Sequence, residues 1–274
     1  MPHEAAAAVK DGPATVNGRV DTDLLSEHDG VVAVLRLNRP AVRNALGVEA
    51  VERLAAALTA IEEDPRVRAA ILTGAPPGFC SGSDLKELAA LPVSGMVRHE
   101  TRTGEVVRAI SRLGIPVIAA VEGFAIGGGF LLATACDIVV SARDARWHLP
   151  EARLGWVPPW GLQTLVTRVG PAAARRLAWG ERPLSGQELH RLGGVDDLVA
   201  PGRALHHARE IAARLAALPP RAVASTKRAL ADAVAGGAEE LDTRTTWMFG
   251  EDCEYGVARA GLLGFPPAPA GGSR

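Results

Sequence analysis

The segment of residues 116–137 constrains the fold of this chain more than any other stretch, because it joins a strand to a glycine-rich turn and a helix. Residues 116–121 are apolar and β-branched, which is typical of a buried strand. Three consecutive glycines, 127–129, precede the helix-forming run 130–135. Backbone N–H groups at such a helix start have no intrahelical acceptor, so they can bind an anion or a developing oxyanion. A tight packing turn would have the same sequence, so both interpretations stay open here.

A second segment has the same design. The strand-like residues 67–73 lead to Gly82 and Ser83, and a short helix follows that Asp84 opens. Two such turns can direct two N–H donors at one carbonyl oxygen, at about 3 Å each, which is the geometry that an oxyanion hole requires.

Strand-like and helix-like patterns alternate up to about residue 200, which predicts an α/β fold with a mixed sheet layered by helices. From residue 203 onward the pattern is wholly helical. The predicted strands are 31–37, 69–73, 116–121, 137–140 and 195–199, and the predicted helices are 48–61, 96–113, 162–169, 172–179, 185–191, 204–218, 222–234 and 238–263, with a loop at 148–160. We therefore predict a flexible tail at 1–22, a core at 23–200, a helical region at 201–264 and a second flexible tail at 265–274.

Composition narrows the class of function. The 274 residues carry a formal net charge of −1, which gives no reason to expect a nucleic-acid or acidic-membrane partner. The chain has no apolar run long enough to span a membrane and no signal-peptide pattern. Its three cysteines are scattered, which favours reduced thiols, and Cys80 is predicted to be a packing residue. No cluster has metal-ligand spacing, so we expect a cytoplasmic protein without a metal.

Four ordered blocks of sequence resemble the crotonase, or enoyl-CoA hydratase/isomerase, superfamily. Their order and spacing hold over residues 31–200. The blocks are Arg43-Asn44-Ala45-Leu46, the run 79–86 (FCSGSDLK), the triple-glycine turn ending in Ala135-Cys136-Asp137, and Leu149-Pro150-Glu151 with Leu154-Gly155. The resemblance implies a core of ββα units wound into a spiral and a C-terminal helical region that covers the site and builds a homotrimer, often paired into a hexamer. It also implies an acyl-CoA thioester as substrate, with coenzyme A present only as part of that substrate and no separate cofactor.

The same resemblance implies roles for particular residues. The thioester carbonyl would bind between the backbone N–H groups of Ser83 and Gly128, and Glu151 would be the general acid or base. Contacts to the rest of the substrate would come from the Arg43 loop, the turn at 81–86 and an acyl-pocket wall. The implied binding residues are Arg43, Ala45, Ser81, Asp84, Leu85, Lys86, Leu131, Trp156 and Trp160, with Arg43 or Lys86 near phosphates.

Leu131 departs from the family pattern. Hydratases of the family use two glutamates to hold and activate water, and Leu131 occupies the first of these positions, where it can neither bind water nor transfer a proton. One carboxylate suffices to move a proton between two carbons, so the sequence favours isomerase-like proton transfer unless another acid reaches the site. The alternatives are a hydratase, a lyase (decarboxylase or hydratase-lyase) on a CoA or carrier-protein thioester, and a non-catalytic acyl-CoA-binding subunit.

Four further polar residues are predicted to lie outside the chemistry. His148 is expected to satisfy backbone groups, and Glu251 and Tyr255 to face solvent or a subunit interface. Asp137 is expected to be structural and to terminate the helix after the triple glycine.

Overall fold

A six-stranded sheet forms the centre of the molecule in the computed structural model, which describes residues 23–234 and 238–254. A smaller three-stranded sheet lies beside it. The strands are β1 (Leu24–Asp29), β2 (Val32–Leu37), β3 (Ala69–Gly74), β4 (Val117–Val121), β5 (Phe124–Ile126), β6 (Ile138–Ala142), β7 (Arg146–His148), β8 (Leu184–Ser185) and β9 (Asp197–Val199). The large sheet has the order β1-β2-β3-β4-β6-β9, antiparallel between β1 and β2 and parallel elsewhere. The small sheet has the order β5-β7-β8.

Helices connect the strands and cover both faces of the large sheet. They are α1 (Val48–Glu63), α2 (Leu85–Ala89), α3 (Val93–Arg112), α4 (Gly128–Thr134), α5 (Glu151–Leu154), α6 (Leu162–Ala178), α7 (Gly186–Arg191), α8 (Ala204–Ala216), α9 (Pro220–Val234) and α10 (Ala238–Glu254). None of the helices in the described residues is long and apolar enough to cross a membrane.

The inner parallel strands are buried on both faces, as their apolar sequences require. Every residue of β4 is buried. The small side chains of Ala204, Ala208 and Ala212 let α8 pack closely against one face of the sheet. The main core lies on the opposite face, where α1, α3 and α4 contribute side chains. This core fixes the ends of β3 and β4, and the loops that leave those ends build the site described below.

The structure confirms the α/β class, the inner strands, the long helices and the break between residues 169 and 172. That break is a kink within α6, where Gly170 has φ of 74° and precedes Pro171. The sequence analysis missed β1 because its residues are largely polar, as befits an edge strand with one exposed side. It also missed β5, β7 and β8, which are too short to show periodicity.

The predicted loop and the predicted tails have different outcomes. The loop predicted at 148–160 contains the four-residue helix α5, which was too short for a periodic pattern. Residues 1–22 and 255–274, which include both predicted tails, the end of the last predicted helix and Tyr255, lie outside the described residues.

Candidate active site

The two glycine turns predicted from the sequence meet at the carboxyl ends of β3 and β4. Cys80 forms a bridge to Ala125 of β5, and the Ile126 N–H donates to the Cys80 carbonyl at 3.0 Å. The fit leaves no room for side chains, because a Cβ at Gly129 would lie 2.3 Å from the Cys80 oxygen and one at Gly82 would lie 2.9 Å from the Gly128 nitrogen. Glycine is therefore required where the turns touch.

Both predicted oxyanion donors lie in this contact. The neighbours of Ser83 are held in place, since the Leu46 N–H donates to the Gly82 carbonyl at 2.8 Å and the Asp84 N–H donates to the Leu46 carbonyl at 3.1 Å. Gly128 is the first residue of α4, so its N–H has no acceptor within the helix. Within the described part of the chain, no hydrogen bond uses the N–H of Ser83 or of Gly128. Both amides are thus available to a substrate oxygen.

Glu151 lies directly against the triple-glycine turn. Its backbone follows β7, which pairs in parallel with β5, and the Gly127 N–H donates to the His148 carbonyl at 2.8 Å. These bonds bring the start of α5 beside the turn, so a Cβ at Gly127 would lie 3.0 Å from Glu151 Oε1. Gly127 has φ of 56°, a further reason why this residue is glycine. The predicted general acid or base therefore faces the predicted oxyanion hole.

The carboxyl group of Glu151 is buried and incompletely bonded. The residue is only 6% exposed, and its Oε2 has no hydrogen-bond partner among the described residues. Burial, together with the nearby carboxylate of Glu100, raises the pKa of Glu151 to about 8 in spite of a hydrogen bond from the residue's own backbone N–H, which lowers it. A carboxyl group with a pKa near neutrality can both give and take a proton at physiological pH.

Glu100 is a second carboxylate in the site, and the sequence analysis missed it. It projects from α3 and is only 3% exposed. Its Oε1 accepts from Ser83 Oγ at 2.7 Å, and its Oε2 accepts from Trp160 Nε1 at 2.8 Å. Glu100 and Glu151 line the same cavity, whose volume is about 60 Å³. The site therefore has two carboxyl groups, although Leu131 stands where the resemblance implied one of them.

A signal for Glu100 was present in the sequence. Along α3 the buried positions include Met96, Glu100, Thr103 and Val107, which follow the spacing of one helix face. A glutamate on the apolar face of a helix needs a partner or a function, because an isolated buried charge is costly. The sequence alone therefore indicates that Glu100 is unusual, but it does not indicate which residues Glu100 contacts.

The predicted acyl-pocket wall does line the cavity. Trp156 packs edge-to-face against Phe249 of α10, with ring centroids 6.0 Å apart. Helix α10 also fixes the Trp160 loop, since the hydroxyls of Thr245 and Thr246 both donate to the Pro159 carbonyl, at 2.8 Å and 2.9 Å. The C-terminal helix therefore covers the site, as the resemblance implied, and Phe249 is a lining residue that the sequence analysis did not name.

The remaining predicted binding residues divide into two groups. Ser81, Leu85 and Leu131 line the cavity together with Ser83, Gly128, Glu151, Trp156 and Trp160. Arg43, Ala45, Asp84 and Lys86 do not line it. The carboxylate of Asp84 accepts from the backbone N–H groups of Lys86 and Glu87 at the start of α2 and pairs with Arg39 at 3.1 Å.

The loop before α1 is held by buried polar contacts. Asn44 donates to the carbonyls of Ala75 and Gly78, both at 2.7 Å, and Arg39 donates to the Ala45 carbonyl at 2.7 Å. The guanidinium of Arg43 is exposed and lies over the Phe124 ring, 4.5 Å from its centre. Arg43 and the equally exposed Lys86 thus have charges that solvent or a substrate phosphate can reach.

The other polar residues behave largely as predicted. His148 contacts the Gly180 carbonyl at 3.4 Å, and burial lowers its pKa. Asp137 has a structural role, as predicted, but it does not end α4. Its carboxylate instead accepts from the Val117 N–H and from Lys227 Nζ, both at 2.7 Å. Glu251 is exposed. Burial raises the pKa of Cys80 to about 12, as expected of a packing residue.

Comparison with known proteins identifies the family. The sequence profile described as "Enoyl-CoA hydratase/isomerase" matches residues 27–264. The chain is 35% identical over 210 residues to a short-chain-enoyl-CoA hydratase from Clostridium acetobutylicum, covering 76% of this chain and 80% of that protein. It is 32% identical over 243 residues to a 2,3-dehydroadipyl-CoA hydratase from Escherichia coli, covering 86% of this chain and 94% of that protein.

Solved structures agree with this assignment. An enoyl-CoA hydratase/isomerase from Mycobacterium paratuberculosis is 27% identical with a TM-score of 0.81, over 89% of this chain and 98% of that one. An enoyl-CoA hydratase from Mycobacterium tuberculosis is 36% identical with a TM-score of 0.72, over 83% of this chain and 98% of that one. Both the ordered sequence blocks and the fold are therefore those of the crotonase superfamily, and the chain belongs to the enoyl-CoA hydratase/isomerase family.

Proposed function

We propose that this protein is a hydratase that adds water to the C2=C3 bond of a 2-enoyl-CoA thioester. The observation that carries the proposal is that two glutamate carboxyl groups face one small cavity beside two N–H donors without acceptors. Relatives at 32–35% identity bear the names of hydratases of CoA thioesters, which supports the same assignment.

The geometry suits the charge that develops during hydration. When water attacks C3, electrons move through C2 to the thioester oxygen, which becomes an enolate oxygen. The N–H groups of Ser83 and Gly128 would stabilise that oxygen, and each donor of this kind is typically worth about 3 kcal/mol in the transition state. The carboxyl group of Glu151 would protonate C2, and its position against the same glycine turn supports this role.

An isomerase that moves a double bond from C3=C4 to C2=C3 of an enoyl-CoA is the second candidate function. Leu131 favours it, because this apolar side chain replaces the acid that the family's hydratases carry there. Isomerisation needs one group that removes a proton from one carbon and returns it to another, and Glu151 alone could do this. The same oxyanion donors would serve both reactions.

The deciding experiment supplies the purified protein with a 2-enoyl-CoA and, separately, a 3-enoyl-CoA, and follows the products by mass and absorbance. A hydratase converts crotonyl-CoA into a product heavier by one water, with loss of the conjugated thioester absorbance. An isomerase leaves the mass of a 3-enoyl-CoA unchanged while that absorbance rises. Conversion of the 3-enoyl-CoA alone would reject the hydratase proposal, whereas Glu151→Gln should lower either activity by about 10².

The protein is further proposed to form a homotrimer or a dimer of trimers through its C-terminal helices and to be cytoplasmic. Large apolar side chains lie on the outside of these helices, including Leu230 of α9 at 63% exposure and Trp247 of α10 at 62%. Contact with other subunits would remove such side chains from water.

A further inference from the structure

We propose that Glu100 of α3 is the water-activating carboxylate of this enzyme and performs, from a different helix, the task for which Leu131 is unsuited. The inference rests on the proposed hydratase function and assigns one of its two proton transfers. It concerns a residue 31 positions earlier in the chain than Leu131 and on a different structural element.

The position of Glu100 is fixed by two donors from different segments of the chain that line the cavity. Ser83 Oγ lies 2.7 Å from Oε1 and Trp160 Nε1 lies 2.8 Å from Oε2. Trp160 comes close to α3 because Gly104 has no side chain there, and a Cβ at Gly104 would lie 3.1 Å from the Trp160 Cβ. Each carboxylate oxygen accepts only one of these bonds and retains a second lone pair for a water molecule.

The cavity offers that water a polar surround in an otherwise apolar space. Its volume of about 60 Å³ exceeds the roughly 10–15 Å³ that one water needs by this measure. Glu151 Oε2 is also buried, and no described residue forms a hydrogen bond with it. The other lining side chains are mainly apolar or aromatic, and among the described lining residues only Glu100 and Glu151 carry ionisable groups.

A structural role alone explains Glu100 poorly. A carboxylate that merely braced Ser83 and Trp160 would incur the desolvation cost of a buried charge, and none of the described residues that line the cavity is a Lys, Arg or His that could offset it. An amide would brace Ser83 without that charge. A carboxylate next to Glu151 is useful, by contrast, if one of the two groups must be ionised while the other holds a proton.

The roles follow from this difference. Glu100 accepts a proton from the water as the water oxygen bonds to C3, while the C2=C3 π electrons move to the thioester oxygen held by Ser83 and Gly128. The enolate then collapses as C2 takes the proton of Glu151. The product is a 3-hydroxyacyl thioester, with Glu100 protonated and Glu151 ionised, and transfer of one proton from Glu100 to Glu151 through water restores the starting state.

Ser83 links the two parts of this site. Its backbone N–H is an oxyanion donor, and its hydroxyl donates to Glu100. Glu100, although it projects from α3, is thus bonded to the same turn that carries an oxyanion donor, which would hold an activated water at a fixed position relative to the thioester oxygen.

The experiment compares two reactions in one set of variants. Hydration of crotonyl-CoA requires both carboxyl groups under this proposal, whereas exchange of the α-protons of butyryl-CoA with D2O requires only the oxyanion hole and Glu151 as a base at C2. Glu100→Gln keeps the size of the side chain and can still accept from Trp160 Nε1, while its amide nitrogen can donate to Ser83 Oγ in place of accepting from it. Glu151→Gln is the variant that should lose both reactions. Glu105→Gln is the matched control, because Glu105 lies on the same helix, is exposed, and forms an ion pair with Arg102.

We expect Glu100→Gln to lower kcat for hydration by about 10². The loss of the exchange rate in the same variant should be smaller than the loss of hydration by a factor of at least ten. Glu105→Gln should match the wild type in both reactions. Equal losses of both reactions would make Glu100 a positioning residue and overturn the inference, as would hydration by Glu100→Gln at the wild-type rate. If Glu100→Gln does not fold, Glu100→Asp, which withdraws the carboxylate by one methylene, must show the same unequal loss.

The proposed function fails separately from this inference. A wild-type protein that exchanges α-protons but does not hydrate crotonyl-CoA would reject the hydratase function, and the role of Glu100 with it. A wild-type protein that hydrates, with no selective loss in Glu100→Gln, would reject the role of Glu100 alone.

Discussion

The buried carboxyl group of Glu151 should reduce the stability of the fold as pH rises. Burial raises its pKa from an ordinary 4.5 to about 8. Below about pH 4.5 the group is protonated in both the folded and the unfolded chain, so it does not make the free energy of unfolding depend on pH. Between these two pKa values the unfolded chain ionises while the folded one keeps its proton, so the folded state binds more protons and the free energy of unfolding falls as pH rises.

The size of this effect follows from the shift. One pKa unit corresponds to about 1.4 kcal/mol, so the difference between 4.5 and about 8 amounts to roughly 4 to 5 kcal/mol of unfolding free energy lost by pH 8.5. That is a large fraction of the roughly 5–15 kcal/mol by which ordinary domains are stable. Glu151→Gln is neutral at every pH and lacks this loss.

Urea unfolding followed by tryptophan fluorescence measures the prediction, with both proteins at the same concentration and at several values between pH 4.5 and pH 8.5. The buried amide of Glu151→Gln adds an offset that does not depend on pH, and titrating groups distant from Glu151 affect both proteins alike. The difference in unfolding free energy between the variant and the wild type should therefore move in favour of the variant by roughly 4 to 5 kcal/mol across this range. A difference that stays constant to within about 1 kcal/mol would refute the argument that Glu151 is buried in its protonated form.

Two further predictions concern the glycine turn and the assembly. Gly82→Ala places a Cβ 2.9 Å from the Gly128 nitrogen at a residue with φ of 88°, so the turns must separate and hydration should fall at least tenfold. Gly202 has a similar φ of 79°, but a Cβ there would have nothing within 4 Å. Gly202→Ala should therefore cost only about 1 kcal/mol of stability and leave the hydration rate unchanged. Equal hydration rates for the two variants would contradict the argument that the two turns fit together only through glycine. Light scattering at micromolar concentration should give the mass of a trimer or hexamer, and a monomer would contradict the proposed assembly.

The sequence predicts the parts of this site that depend on backbone conformation. Gly82 lies in the loop that follows β3, and the triple glycine comes directly after β5, where the chain needs positive φ or close approach and glycine is the residue that allows it. Pro150-Glu151 lies in the turn that follows β7. Such requirements are local, so they are visible in the sequence. The resemblance to a family then implies that these turns bind a thioester, and residues from each of the turns line one cavity in the structure.

Glu100 and Phe249 could not be placed in the same way, because their roles depend on contacts between distant elements. Glu100 reaches Ser83 across 17 residues and Trp160 across 60 residues. Phe249 reaches Trp156 only because α10 folds back over the core. No local pattern specifies such contacts, although the burial expected for one face of α3 marks Glu100 as unusual. Asp84 shows the converse, since its place in a family motif implied a binding role, whereas its carboxylate caps α2 and pairs with Arg39.

The replacement of an acidic residue by Leu131 is therefore only weak evidence against hydration. The proposed oxyanion donors belong to two turns that fit each other through glycine, so their position cannot change without loss of that fit. A carboxylate that activates water is under no such constraint, because it need only project into the cavity from any element that lines it. Helix α3 passes along the cavity with Glu100 on its buried face, while Leu131 of α4 completes the apolar wall. The reaction of a family member with this fold is thus better inferred from which ionisable side chains reach the cavity than from the residue at one motif position.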